Sequence, residues 1–170
     1  MEPFTAVYTN NEIIVPTQSE ADSLLQDGYG YRLNKTHYLR GVETLYNVER
    51  GKIAVVDEET NNALGFQELL HRLSQDDPEL WMRFIVYKDM RTRGFIIEIS
   101  NNVFKVYERG DYGNNKPSYQ LKIISEGKPE IVENLLNELT SVESGSMSMK
   151  LAVVDRRGEI VYYRVEEKDL

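Results

Sequence analysis

The sequence predicts an α+β protein: a small N-terminal α/β domain over residues 1–76, then a C-terminal mixed β-sheet domain packed on helices over residues 77–170. Three observations predict it. Two β-rich runs, Phe95 to Ile99 and Val103 to Tyr107, flank Asn101-Asn102, which tolerate the left-handed backbone of a tight hairpin. Apolar residues recur at helical spacing in Leu80, Trp81, Phe84, Ile85 and Tyr87, and again from Ile131 to Leu139. The polar stretch SQDDP separates the two halves and marks the domain boundary.

In chain order, residues 4 to 8 and 12 to 15 are short strand candidates around Asn10-Asn11, a second hairpin signal. Ser19 to Asp27 is a predicted helix with Ala21, Leu24 and Leu25 on one face, closed by Gly28. GYGYRL is turn or edge strand. Gly41 to Arg50 is the next helix, with Val42, Leu45, Tyr46 and Val48 as core candidates and Gly51 as its stop. Lys52 to Val56 follows as a strand, DEETNNA as a polar loop, and Phe66 to Leu73 as a third helix.

Past the boundary, Asp77 is an N-cap candidate with Pro78 at the first helical position and Glu79 in the first turn. Gly94 ends that helix. The hairpin ends in Tyr107-Glu108-Arg109-Gly110, which puts Tyr107 at a strand end. Ser118 to Ile124 is a strand reached through the turn-rich GDYGNNKP. Ile131, Val132, Leu135, Leu136 and Leu139 give the last helix its apolar stripe, with Pro129 near its start. Met149 to Val154 and Ile160 to Val165 are a final strand pair joined by Asp155-Arg156-Arg157-Gly158-Glu159.

Composition narrows the function classes. The 170 residues are 41 % hydrophobic and 28 % charged, an ordinary globular balance. No apolar run reaches membrane-spanning length, and the N-terminus lacks a basic stretch followed by an apolar core. Cysteine is absent, which removes disulfides and thiolate metal sites and makes a cytosolic, cytoplasmic protein the simple expectation. The formal net charge of −8 argues against a chain that grips RNA by itself, because phosphate contacts demand a basic face. Lys88, Arg91 and Arg93 are a local exception, either a solvated helix end or a contact for RNA or a partner. His37 and His71 are the only histidines, and each is best read as a surface or core-edge imidazole. Glu58 and Glu59 lie in a polar loop where solvation explains them.

The blocks VYKDMRTRGF, the hairpin, YERG, SYQLKII, the helix of Ile131 to Leu139 and VVDRRGEIVYY together resemble the C-terminal domain of the archaeal tRNA-intron (tRNA-splicing) endonucleases. The likeness covers roughly residues 80 to 165, and more loosely GYGYRL through GKIAVV. It implies an endonuclease-like fold and a metal-independent, cofactor-free RNA cleavage in which the ribose 2′-OH attacks its own phosphate. That chemistry needs a base, an acid for the leaving 5′-oxygen and a cation for the crowded charge.

In the family these roles fall to a tyrosine, a histidine and a lysine. The tyrosine matches Tyr107. Where the histidine belongs, the chain has Asn114, Asn115, Lys116 and Pro117; the lysine's place falls near Met147, within SGSMSMK. The arginine that holds the bulged base has no counterpart in SVESGSMSM. Tyr107 is therefore a vestigial catalytic residue, with packing and a local hydrogen bond as its expected role.

The resemblance then implies a structural subunit, inactive alone. It would pair with a catalytic endonuclease subunit through its C-terminal strand (Ile160, Tyr162 and Tyr163), two pairs forming a heterotetramer that cuts precursor tRNA at bulge–helix–bulge sites. Asp155 and Glu159, flanking the Gly158 turn, are the expected docking carboxylates between pairs. Two alternatives stand beside it: an active homo-oligomer in which Lys116 or Lys150 replaces a missing group, and a non-enzymatic RNA-binding scaffold of the same fold.

Overall fold

Alternating apolar and polar residues build two mixed sheets in the computed structural model, which describes residues 1–100, 103–108, 110–113 and 116–168. The chain divides into two units, Met1–Tyr87 and Lys88–Leu170. The first contains β1 (Phe4–Thr9), β2 (Glu12–Val15), α1 (Gln18–Gln26), β3 (Tyr31–Leu33), β4 (Thr36–Leu39), α2 (Gly41–Glu49), β5 (Ile53–Asp57), β6 (Ala63–Leu64) and α3 (Phe66–Ser74). Its strand order is β3-β4-β2-β1-β5-β6, with β1 and β5 parallel and the other pairs antiparallel. Helix α4 (Leu80–Thr92) follows the SQDDP stretch and carries residues of both units.

The first unit agrees with the sequence at its hairpin, where Asn10 and Asn11 both take positive φ, and at α1 to α3 within a residue or two. It differs in two places. THYL forms β4, and GYGYRL supplies its edge-strand partner β3 through Asn34 and Lys35 with φ of 50° and 69°. Lysine at the second turn position hides a hairpin that Asn-Gly would have announced. Inside the polar loop, β6 pairs Leu64 with Val55, so two residues of DEETNNAL join the sheet edge.

A polar knot ties this unit together. Glu43 on α2 is buried, and its carboxylate accepts backbone N–H bonds from Arg40 at 2.9 Å and Gly30 at 2.5 Å. His37 is buried too, not a surface imidazole: its Nε2–H donates to the Tyr29 carbonyl at 3.0 Å, and burial lowers its pKa. Asp77, predicted to cap α4, instead meets Arg83 with its carboxylate while its carbonyl accepts the Leu80 N–H. Regular helix therefore starts at Leu80, two residues past Pro78.

The second unit holds β7 (Ile96–Ser100), β8 (Val103–Tyr107), β9 (Tyr119–Ser125), α5 (Val132–Ser144), β10 (Ser148–Val154) and β11 (Ile160–Val165). The order is β11-β10-β9-β8-β7; only β9 and β10 are parallel. The turn residues Asn101 and Asn102, together with Arg109, Asn114 and Asn115, lie outside the described residues. One face of the sheet carries Ile97, Phe104, Val106, Tyr119, Leu121, Ala152 and Val154, all buried.

The opposite face is covered in part by α5. Leu139 and Val142 pack on Met149, with Leu135, Met147, Leu151 and Val165 around them. The predicted stripe is thus only partly a core stripe: Ile131, Val132 and Leu136 are exposed. Lys122 of β9 pins the helix through Glu130 at 2.9 Å and Glu138 at 2.6 Å. No helix among the described residues is long and apolar enough to cross a membrane.

Gly30 has a positive φ of 83°, and a Cβ there would strike the His37 ring and the Tyr38 carbonyl. Gly30→Ala should cost roughly 2–5 kcal/mol, combining left-handed backbone strain with overpacking. A urea midpoint equal to wild type would contradict this packing.

Candidate functional site

Strand parity decides which groups meet in the second sheet, because successive side chains point to opposite faces. Val106 pairs with Tyr119, Tyr119 with Ser148, and Leu121 with Lys150, all on one face. Tyr107 therefore belongs to the other face, with Glu98, Lys105 and Gln120. Tyr107 is buried at the end of β8, where its hydroxyl donates to Glu98 Oε2 at 2.8 Å and its ring meets Tyr112 edge-on at 5.4 Å. Burial first, and the Glu98 carboxylate second, push the phenol up to about 12. At neutral pH the group is therefore the neutral phenol, held further from ionisation than a free tyrosine.

Met147 packs with Met149 and Val142, on the α5-covered face that Tyr107 also occupies, and places a thioether in an apolar cluster. Lys150 projects from the opposite face, its Nζ 4.1 Å from the Tyr119 ring centre. Lys116 is exposed in the loop before β9. The sheet thus places Tyr107 and Lys150 on opposite faces, and His37 and His71 both belong to the first unit.

The remaining predicted residues cluster around β11. Ile160 and Tyr162 pair with Val154 and Ala152; Tyr163 pairs with Leu151 on the α5 side and is half exposed, as is Val161. The Tyr162 hydroxyl donates to Asp89 Oδ2 at 2.6 Å, and burial with that carboxylate raises its pKa. Asp155 turns inward: its Oδ1 accepts the N–H groups of Arg157 at 2.8 Å and Glu159 at 2.9 Å. Glu159 has an exposed side chain at the same turn. The sequence did not single out Glu98 as the partner of Tyr107. The signal was there in the hairpin register, since a strand end at Tyr107 leaves Glu98 diagonal to it on the same face.

With this arrangement in place, the comparisons fix the class. The model of the tRNA intron endonuclease catalytic C-terminal domain matches residues 80–162, and that of the family's N-terminal domain matches residues 5–70. The chain belongs to the tRNA intron endonuclease family. It is similar to the tRNA-splicing endonuclease of Methanococcoides burtonii, 34 % identical over 130 residues, covering 76 % of this chain and 36 % of the relative. That of Methanococcus vannielii is 27 % identical over 163 residues, covering 94 % and 92 %. That of Pyrococcus abyssi is 28 % identical over 172 residues, with 98 % of each covered. The chain therefore spans about a third of the first relative's length and nearly all of the other two.

The ionisation of Tyr107 is directly measurable. An ultraviolet difference titration of Glu98→Gln against wild type should show one tyrosine moving down from about 12. Burial, the larger cause, should keep it above the ordinary value near 10. Because the folded pKa exceeds the unfolded one, the contribution of this phenol to stability is complete below pH 10 and is lost toward pH 12. Identical titration curves would contradict the hydrogen bond.

Proposed function

We propose that this chain is the structural subunit of a heterotetrameric tRNA-splicing endonuclease, joined to a catalytic subunit that supplies the reactive groups. The assembly removes introns from precursor tRNA at bulge–helix–bulge sites and leaves 2′,3′-cyclic phosphate and 5′-OH ends. The observation that carries this reading is the state of Tyr107. A general base must take up a proton at working pH, and a phenol tied to a carboxylate with its pKa pushed up to about 12 resists losing its own. Met147 in an apolar cluster supports the same reading, since a thioether cannot balance the charge of a crowded phosphate. The position of Lys150 on the opposite face weighs against its substitution for the missing lysine in an active homo-oligomer.

Partner contact is assigned to Ile160, Tyr162 and Tyr163. Strand β11 is an edge strand, and half-exposed Val161 and Tyr163 extend an apolar surface beside it. An open, β-prone edge is a template for another chain. Docking between pairs is assigned to Asp155 and Glu159. Because the Asp155 carboxylate braces its own turn, Glu159 is the free docking charge and Asp155 holds the tip in shape.

Purified chain alone should leave a bulge–helix–bulge precursor intact, and addition of a catalytic subunit should produce cyclic-phosphate ends. In the reconstituted enzyme, Tyr107→Phe in this chain should change the cleavage rate by less than about twofold, because the phenol takes no part in proton transfer. Cleavage by the pure chain that Tyr107→Phe abolishes would sink the proposal.

Tyr162→Pro should remove strand geometry at β11 and yield free monomer on a sizing column when mixed with the catalytic subunit. Tyr162→Phe, which keeps the strand and loses only the Asp89 bond, should still assemble. Failure of both variants to separate in this way would move the interface elsewhere.

A further inference from the structure

The first sheet buries a side chain whose hydrogen-bonding capacity the fold leaves half used. Strand register puts Val15 of β2, His37 of β4 and Arg32 of β3 in one row on one face. Helix α1 lies on that face, because its Asp22 pairs with Arg32. His37 is 2 % exposed, and its Nε2–H is committed to the Tyr29 carbonyl. That bond fixes the tautomer and makes Nδ1 an acceptor. The Nδ1 is buried and has no partner among the described residues. A buried acceptor without a donor costs free energy until something supplies one.

His37 lines a groove of about 710 Å³ with Val15, Gln18, Arg32, Asn34 and Lys35. The charges around it do not cancel. Arg32 and Asp22 neutralise each other, and Glu20, the other carboxylate of α1, is engaged by the Thr5 N–H at 2.9 Å. Lys35 is exposed and has no carboxylate within ion-pair reach among the described residues, which leaves one positive charge over. The β3–β4 turn presents it with Asn34 and Lys35 both in left-handed backbone. Asn34 and Gln18 add amide donors, and the Arg32 fork has more N–H groups than one carboxylate uses. Helix α1 starts at Gln18 without a side-chain cap from Thr17, so its positive end adds to the same rim.

We propose that this groove binds a small hydroxylated phosphate monoester of the polyol phosphate type. A carbon-bound hydroxyl donates to His37 Nδ1, and the phosphate oxygens face Lys35 and the Arg32 guanidinium. The two ends of the site together define the class. Nδ1 accepts and cannot donate, so it selects a ligand that carries its own O–H. Lys35, Arg32 and the two amides donate from several directions, which suits three phosphate oxygens better than a flat carboxylate. A groove of this size has room for a short polyol chain as well as the phosphate. The site lies within the first unit and is independent of the chain's role in RNA cleavage.

The test is isothermal titration of the full chain at pH 8, where burial keeps His37 neutral, with glycerol 3-phosphate, methyl phosphate, glycerol and glycerate. Glycerol 3-phosphate should bind at least about tenfold more tightly than methyl phosphate, the worth of one hydrogen bond to a buried acceptor. In nitrogen-15 spectra it should shift His37 Nδ1 and leave His71 unmoved. His37→Gln, which turns an amide N–H toward the Tyr29 carbonyl and deletes Nδ1, should lower glycerol 3-phosphate to the affinity of methyl phosphate. Lys35→Asn, at an exposed turn position where asparagine tolerates positive φ, should weaken both phosphates alike. His71→Gln should bind as wild type does. Equal affinity for the two phosphates, or a Nδ1 resonance that ignores the ligand, would overturn the proposal by reducing the site to nonspecific anion attraction. Absence of binding by wild type would overturn it too. So would glycerate binding as tightly as glycerol 3-phosphate, which would assign the groove to hydroxy acids.

Discussion

The two-residue period of the second sheet is the constraint on which the rest of the C-terminal unit depends. Its five strands share one register, from Ile97 through Val106, Tyr119 and Ser148, and from Leu121 through Lys150 to Arg164. A slip of one residue in any strand would exchange its faces entirely. The buried row of Phe104, Leu121 and Ala152 leaves no freedom for such a slip, since it would carry charged Lys105, Lys122 or polar neighbours into the core. The positions of Tyr107 and Lys150 on opposite faces follow from that packing.

From the same register come two surfaces with different chemistry. The face shared by Tyr107 and Met149 is covered where α5 crosses it and open toward Val161 and Tyr163. Lys122 between Glu130 and Glu138 holds α5 over its part of the sheet, which limits how much of β11 the helix can shield. The other face is buried over most of its width and turns polar at its β10–β11 margin, with Lys150, Arg164 and the Tyr162–Asp89–Arg93 network. Membership of the tRNA intron endonuclease family supplies the frame, and these side chains furnish its two surfaces.

Much of this was legible beforehand. Helical spacing located α1 to α5, and the β-rich runs located β7, β8, β9, β10 and β11, because burial of one face imposes its period on the residues that form it. Asn10-Asn11 announced the first hairpin through the same tolerance of positive φ that the structure displays. Signals failed where the period was too short to count. Strands β4 and β6, the two that were missed, have four and two residues, and the β3–β4 turn uses Lys35 at a position where glycine is the familiar marker. The α5 stripe misled in a different way: Ile131 and Leu136 have the right spacing, but an apolar periodicity says nothing about whether a sheet beneath is wide enough to cover it.

The sequence by itself determined the α+β class and the family blocks, because the periods and residue identities that carry them are local information. It also placed Tyr107 at a strand end with a local hydrogen bond. Only the tertiary structure decided that Glu98 is the partner, that Met147 lies in an apolar cluster and that Lys150 belongs to a different face from Tyr107. Those are relations between strands far apart in the chain. Cross-strand register is set by the packing of the whole sheet, and no stretch of sequence contains it.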